Sequence, residues 1–446
     1  MFKIFINAWR VQDIRKKLLF IFLLLTVYRL GTAVPLPGID LDALYLVRHG
    51  VELEWDITMT LFSMIAGGGV GSIFAMGIAP YITSSIIMQL LTYAIPQLSQ
   101  MQKEGEDGRK KIGQITRYLA VALAALQAAA MVFSYTNWQG MDFNLFRYQN
   151  MLVYVVATLA MVTGTIFIMW LAELLTEKGI GNGASFLIFA NILSQLPQGI
   201  MQLWNMVRDP SRNTFMGVVL LLVVLVVFAA IIGFVIMVHE GERRIPVQYS
   251  KKAAGGRSMF GNQSSYIPLK VNIAGVLSII FAVSLLQFPM QIMQFFPQTG
   301  NQTGIFQRIF GPAGVLQIQG PHAHWIGITV YVVLIFVFTH FYTSFAVNPV
   351  EMAENMKKNG GFIPGIRPGK PSSDFIQKTV NRLAWIGSVF YALIALTPIL
   401  LELFTPVPAG VGFGGTTLLI VIGVALEFIK QLESQLLMRH YKGFLD

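Results

Sequence analysis

Few residues in this sequence have the type and spacing to do chemistry. His322 and His324 stand two apart, as a metal-binding pair can, but no acidic residue lies near them in the chain to complete a ligand set, so no metal is expected. His340 sits inside an apolar run, where it either relays protons or hydrogen-bonds within a helix bundle. Arg29, Glu173 and Glu427 fall toward the ends of other apolar runs. Cysteine is absent from all 446 residues, which excludes disulfides, thiol nucleophiles and cysteine-held metal. Neither a phosphate-cradling loop, a nucleophile triad nor an HExxH pair occurs. The sequence predicts no catalysis and no cofactor. The scarcity of ionisable groups at the centres of apolar runs also argues against a proton- or ion-coupled transporter.

The elements that carry these residues are membrane spans. Hydrophobic residues make up 54% and charged residues only 12%, with a mean hydropathy of +0.62. A soluble domain has about a quarter of its residues charged. Runs long enough to cross a hydrocarbon core of about 30 Å predict ten spans, at about 18–34, 73–95, 115–135, 151–174, 183–201, 215–238, 271–293, 324–346, 378–401 and 412–430. The basic start followed by an apolar run looks like a signal peptide, yet Arg29-Leu30-Gly31-Thr32 is no small-residue cleavage site, so the first span is read as retained. The net charge of +10 matters less than where it lies. With the amino terminus inside, 26 of the 32 Lys and Arg residues fall in inside segments, against Arg48, Arg147, Arg208, Arg212 and Arg308 outside. An even number of spans then puts both termini in the cytoplasm. Ten spans also divide as five plus five, and an odd-numbered half repeated once lands inverted, with a path where the halves meet. The expected fold class is an all-α polytopic membrane protein of ten transmembrane helices in two pseudo-symmetric inverted halves, 1–201 and 202–446.

The stretch from Leu61 to Pro96 does not fit a simple crossing. As a single helix it would run roughly 54 Å, nearly twice the hydrocarbon thickness. Gly67, Gly68, Gly69 and Gly71 crowd together within it, and each glycine inside a helix costs about 1 kcal/mol relative to alanine, so the break belongs there. That leaves a half-helix over about 61–72, with Ser63, Met64 and Ile65, followed by a full crossing. Irregular backbone at membrane depth must be buried in protein or line a watery cavity. The segment is either a glycine-rich packing face or a re-entrant plug inside a pore.

Two cytoplasmic loops, 240–270 and 349–377, are too long and basic to be turns. The first contains GERRIPVQYSKK, with Arg243, Arg244, Lys251 and Lys252, and then Arg257. The second contains NMKKNGGFIPGIRPGKPSSD, with Lys357, Lys358, Arg367 and Lys370. Basic loops satisfy topology and touch anionic lipid. Here, however, turn formers bracket Arg367 as GIRPG and present one guanidinium on an ordered tip, which lipid attraction does not require. These nine cations are candidate partner contacts.

In order, the chain carries RLGTAVPLPGID (29–40), GIAPYITSSIIMQLLT (77–92), KEGEDGRKKIGQITRY (103–118), TEKGIGNGASFLIFANIL (176–193), GERRIPVQYSKK (241–252), YIPLKVNIAGV (266–276), GGFIPGIRPGKPS (360–372) and FGGTTLLI (413–420). On these motifs it resembles the SecY family of bacterial protein-export channels, from about residue 10 to 440. Val34 and Ala184 stand where isoleucine would be expected. The resemblance implies an hourglass plugged from outside by the half-helix and closed at its waist by a ring of isoleucines. These would be Ile78 and Ile82 in GIAPYI, Ile188 after GIGNG, Ile280 after KVN, and Ile420 ending GGTTLLI. Independently, Ile78 and Ile82 are four apart and share a helix face. The resemblance also implies a sideways exit between spans two and seven, with Thr83, Gln127 and Asn272 as polar contacts across it and Phe288 on the facing helix. The implied partners are the small subunits SecE and SecG, the ATPase SecA, ribosomes, preprotein signal sequences and membrane lipid. The implied activity is a protein-conducting channel, not an enzyme. It would pass unfolded preproteins across the bacterial cytoplasmic membrane and release hydrophobic segments sideways into lipid. A small-molecule secondary transporter with an inverted repeat is the alternative.

Overall fold

A chain segment in hydrocarbon has no water to satisfy its backbone, so each apolar run must close its own hydrogen bonds and winds into a helix. The computed structural model describes residues 6, 8–42, 44, 69, 71–136, 145–208, 214–249, 265–293, 323–404 and 415–442. Ten long helices account for the ten predicted runs. They are α1 (Gln12–Ala33), α2 (Ala79–Ala94), α4 (Glu106–Thr136), α5 (Met151–Lys178), α6 (Gly183–Arg208), α7 (Thr214–Glu240), α8 (Leu277–Met293), α9 (Ala323–Ala346), α11 (Lys370–Phe404) and α12 (Gly415–Lys442). These are spans one to ten in chain order; α3 (Pro96–Lys103) and α10 (Pro349–Lys358) are short connectors. Among the described residues, six helices are long and apolar enough to cross a membrane by length and composition alone. The other spans are shorter or run into charged ends.

Local chemistry sets the helix ends. Asn182 Oδ1 accepts from the Ala184 N–H at 3.0 Å and starts α6, while Asn348 Oδ1 accepts from the Glu351 N–H at 3.4 Å and starts α10. Glu106 and Asp107 lie in the first turn of α4 and Lys178 in the last turn of α5, each complementing the helix dipole.

Spans two and seven begin later than hydropathy suggests, at Ala79 and Leu277 rather than about 73 and 271. The reason is the same in both. Gly77 at φ 52° and Gly275 at φ 61° adopt a left-handed conformation that a right-handed helix cannot run through. Ahead of Ala79 the chain winds in tight turns, with the Ala75 N–H on Ser72 O at 3.1 Å and the Gly77 N–H on Phe74 O at 2.8 Å. Protein covers this irregular stretch, as irregular backbone at membrane depth requires. The Ile73 N–H donates to Val34 O at 3.1 Å, the Leu36 N–H donates to Gly71 O at 2.9 Å, and Gly164 of span four lies directly against Ile73.

Packing sorts the spans into two sets. Span two packs on three, three on four, four on five, and one on four; in the second set six packs on ten, seven on eight, eight on nine, and nine on ten. The sets meet along two seams. In one, span five touches six and ten; in the other, span seven touches two and three.

The two long loops are not separate. They share a three-stranded antiparallel sheet of order β2-β1-β3, built from β1 (Glu242–Tyr249), β2 (Ser265–Lys270) and β3 (Gly361–Phe362). Ile245 pairs with Ile267 and Gln248 with Phe362, so the second loop docks onto the first. Beneath the sheet, Ile245, Val247, Leu269, Met356, Ile363 and Ile376 form their own buried core. This sheet is a small addition to an otherwise helical architecture.

Candidate functional site

The late starts of spans two and seven shape the centre of the molecule. Ile78 immediately precedes α2, and the Ile82 N–H donates to Ile78 O at 3.1 Å, which stacks the two side chains one turn apart. Ile280 lies in the first turn of α8, its N–H on Val276 O at 3.2 Å. Ile188 lies near the start of α6, which is held against span four by the Gly183 N–H on Thr176 Oγ1 at 2.8 Å. Ile420 lies in α12, one turn from Gly423, where an added Cβ would meet Val276 Cγ2 at 2.7 Å. All five isoleucines are at most 8% exposed and belong to one large buried hydrophobic cluster to which spans one, two and four to ten contribute. Such aliphatic surface offers water no hydrogen bond.

Thr83, Gln127 and Asn272 make no hydrogen bond from one span to another among the described residues. Thr83 is half-buried and its hydroxyl donates to Ala79 O of its own helix at 3.1 Å. Gln127 and Asn272 are buried, and Gln127 Oε1 and Asn272 Oδ1 have no hydrogen-bond partner among the described residues. Phe288 belongs to α8, but its side chain lies outside the described part. Of the plug residues, Ser63, Met64, Ile65, Gly67 and Gly68 lie outside the described residues, and Gly69 is exposed.

On the sheet side, Arg243 and Arg244 project from β1, Lys357 and Lys358 end α10, and Arg367 and Lys370 flank the turn into α11; all six are exposed. Arg244 lies over the Tyr266 ring at 4.8 Å and 3.7 Å from Glu242. Lys251, Lys252 and Arg257 lie outside the described residues. Sequence reasoning missed the sheet that unites these cations, although strand alternation was present in Ile245 and Val247 and again in Ile267 and Leu269. It also missed the ion pair of Arg117 Nε with Glu173 at 2.6 Å, which ties span three to span four.

Ten membrane spans in two packed sets, sharing one large buried aliphatic cluster, define a polytopic membrane protein of channel type. Comparison with known proteins gives the family: the SecY family model matches residues 72–429, and the chain belongs to the SecY family. Chains named protein translocase subunit SecY from Halalkalibacterium halodurans and Bacillus subtilis are 41% and 40% identical to it, each over the whole of both chains. A solved structure described as a protein-conducting channel superposes with a TM-score of 0.67 at 17% identity, covering 93% of this chain and 90% of that one. Sec61 in the canine ribosome–channel complex from the endoplasmic reticulum superposes at 0.63 and 16% identity, with 93% and 90% covered. This is a family of channels, and membership in it does not favour the secondary-transporter alternative.

Proposed function

We propose that this chain is the pore-forming subunit of a protein translocase, passing unfolded preproteins across the bacterial cytoplasmic membrane and releasing hydrophobic segments sideways into lipid. The observation that supports this reading is that Ile78, Ile82, Ile188, Ile280 and Ile420 are all buried in one hydrophobic cluster to which spans of both sets contribute. A preprotein needs such a path because each Asp, Lys or Arg at the bilayer centre costs roughly 2.5–3.5 kcal/mol. Flexible aliphatic side chains can close around a moving chain, and the glycine-rich segment before span two stops the pore at rest. Sideways release runs between spans two and seven, where the buried amide oxygens of Gln127 and Asn272, without hydrogen-bond partners among the described residues, weaken the closed state. The two halves are 1–201 and 202–446, and the charge distribution puts both termini and the sheet in the cytoplasm. There the exposed cations meet SecA and the ribosome, while SecE and SecG join within the membrane. Energy comes from those partners.

The test is purification followed by reconstitution. The solubilised complex should retain a small one- to three-span subunit and bind SecA, and vesicles carrying it should protect an added preprotein from protease only with SecA and ATP. Saturable small-molecule uptake by the purified chain, without preprotein transport, would overturn the reading.

A further inference from the structure

If the chain is a translocation channel, as proposed above, its two seams are closed unequally at the end that carries the sheet. On the side of spans five and ten, Phe186 meets Phe428 edge to face with ring centroids 5.2 Å apart, and Phe186 is buried. Neighbouring contacts reinforce it. Lys17 Nζ of span one donates to Gln435 Oε1 of span ten at 3.4 Å, which joins the two sets. Gly181 lies so close to span ten that a Cβ there would come within 2.6 Å of Gln431 Oε1. On the opposite side, spans two and eight meet through Tyr93 and Phe341, edge to face with centroids 5.6 Å apart, and Tyr93 is 72% exposed. No hydrogen bond or ion pair joins these two spans at that end among the described residues.

Behind Phe341 the aromatic contacts stay within the second set: Phe281 of span seven packs edge to face on Phe338 and on Tyr342 of span eight. Spans seven and eight are thereby keyed together, and Tyr93 touches their rim from the other set. A seam parts where the fewest contacts must break. We propose that the Tyr93–Phe341 ring pair is the latch at this end of the seam, and that it sets how apolar a preprotein segment must be to enter between the halves. An entering apolar helix replaces the ring contact with its own surface, so a segment with a short apolar core gains too little to part the rings. Without the latch, weaker segments enter.

The test compares export of one preprotein carrying either its full signal segment or a signal with a shortened apolar core, in SecA-driven vesicles matched for inserted channel. Tyr93→Ala and Phe341→Ala should each raise export of the short-core preprotein by about 2- to 10-fold relative to the full-signal form, the range expected for one aromatic pair. The double variant should do no more than either single one, and Tyr93→Phe, which keeps the ring, should match the parent. Independent, multiplying effects of the two alanines, a Tyr93→Phe variant as relaxed as Tyr93→Ala, or no relaxation in either single variant would overturn the latch. Should the alanine variants insert poorly, Tyr93→Cys with Phe341→Cys supplies the only thiols in the chain. A short bis-thiol link between them should block both preproteins and release them on reduction, and free export with the link in place would equally overturn it. Failure of the parent channel to export the full-signal form would instead count against the translocase reading itself.

Discussion

The carbonyl of Arg367 accepts a hydrogen bond from the Ser372 hydroxyl at 2.9 Å, and the two residues differ sharply in exposure: Ser372 is fully buried, whereas Arg367 is exposed. The Ile366 N–H on Ile363 O at 3.0 Å closes the preceding turn, and Ile363 is part of the core beneath the sheet. The guanidinium thus stands on a tip whose backbone is anchored at both ends. Arg367→Glu reverses the exposed charge and should change folding stability by no more than about 0.5 kcal/mol. ATP-driven export in vesicles should fall by at least about ten-fold, as losing a charged contact at an interface hot spot does. Ser372→Ala keeps the charge but loosens the tip, at a cost of about 1 kcal/mol, and should reduce export less. Normal export by Arg367→Glu would leave the loop no role beyond topology.

Two glycine-to-alanine changes should have opposite signs. At Gly164 an added Cβ would lie 2.4 Å from Ile73 O, so the backbone leading to Ile78 must shift. Overpacking of this kind costs about 1–3 kcal/mol, partly offset by roughly 1 kcal/mol of helix propensity. Gly164→Ala should therefore lower the melting temperature in detergent and raise resting conductance. At Gly113 of α4 nothing lies within 4 Å of the added carbon, so alanine should stabilise by about 0.4–1 kcal/mol. Shifts of the same sign in the two variants would mean that packing against Ile73 is not the deciding term.

The spans were legible in sequence because hydrocarbon imposes one rule on every backbone group, and apolar length then reports a helix wherever it occurs. The ring isoleucines could be named only through the motifs around them, since Ile188 or Ile420 is chemically no different from an isoleucine facing lipid. Hydropathy could not see where spans two and seven start, because Gly77 and Gly275 interrupt the helix without interrupting the apolar run. The sheet was hidden for a different reason. Its strands are short, and β3 pairs with β1 across about a hundred residues, as Phe362 does with Gln248, so no local pattern announces that partner. The Arg117–Glu173 pair likewise joins two helices whose facing sides are set by packing rather than by spacing in the chain.

The isoleucine cluster should be sensitive to polarity and tolerant of a change of apolar shape. Ile82→Asn with Ile280→Asn exchanges apolar side chains for smaller ones that place two hydrogen-bonding groups at the constriction, where water could then remain. Resting ion conductance in planar bilayers should rise, and export of preproteins with defective signals should increase. Ile82→Leu with Ile280→Leu, which keeps the surface apolar, should stay tight. Asparagine variants as impermeable and as selective as the parent would assign these side chains to ordinary packing.

The seam between spans two and seven allows a test that the lack of native cysteine makes clean. Thr83 belongs to span two and Phe288 to span seven, and these helices pack against each other. Among the described residues the Thr83 hydroxyl bonds within its own helix, to Ala79 O, so Thr83→Cys removes no described hydrogen bond that crosses the seam. In the Thr83→Cys, Phe288→Cys variant the two thiols would join directly where their Cα atoms approach to about 4.4–6.8 Å, or through a short bis-thiol linker somewhat beyond that. A short link holds the helices together, whereas a linker long enough to admit a helix of about 10 Å should not hinder passage. Export measured against linker length should therefore show a threshold. Short-linked channel is expected to be blocked and to recover on reduction, with long-linked channel active throughout. Undiminished export with the shortest link formed at high yield, or failure of the thiols to link at any length, would rule out a gate between these two spans.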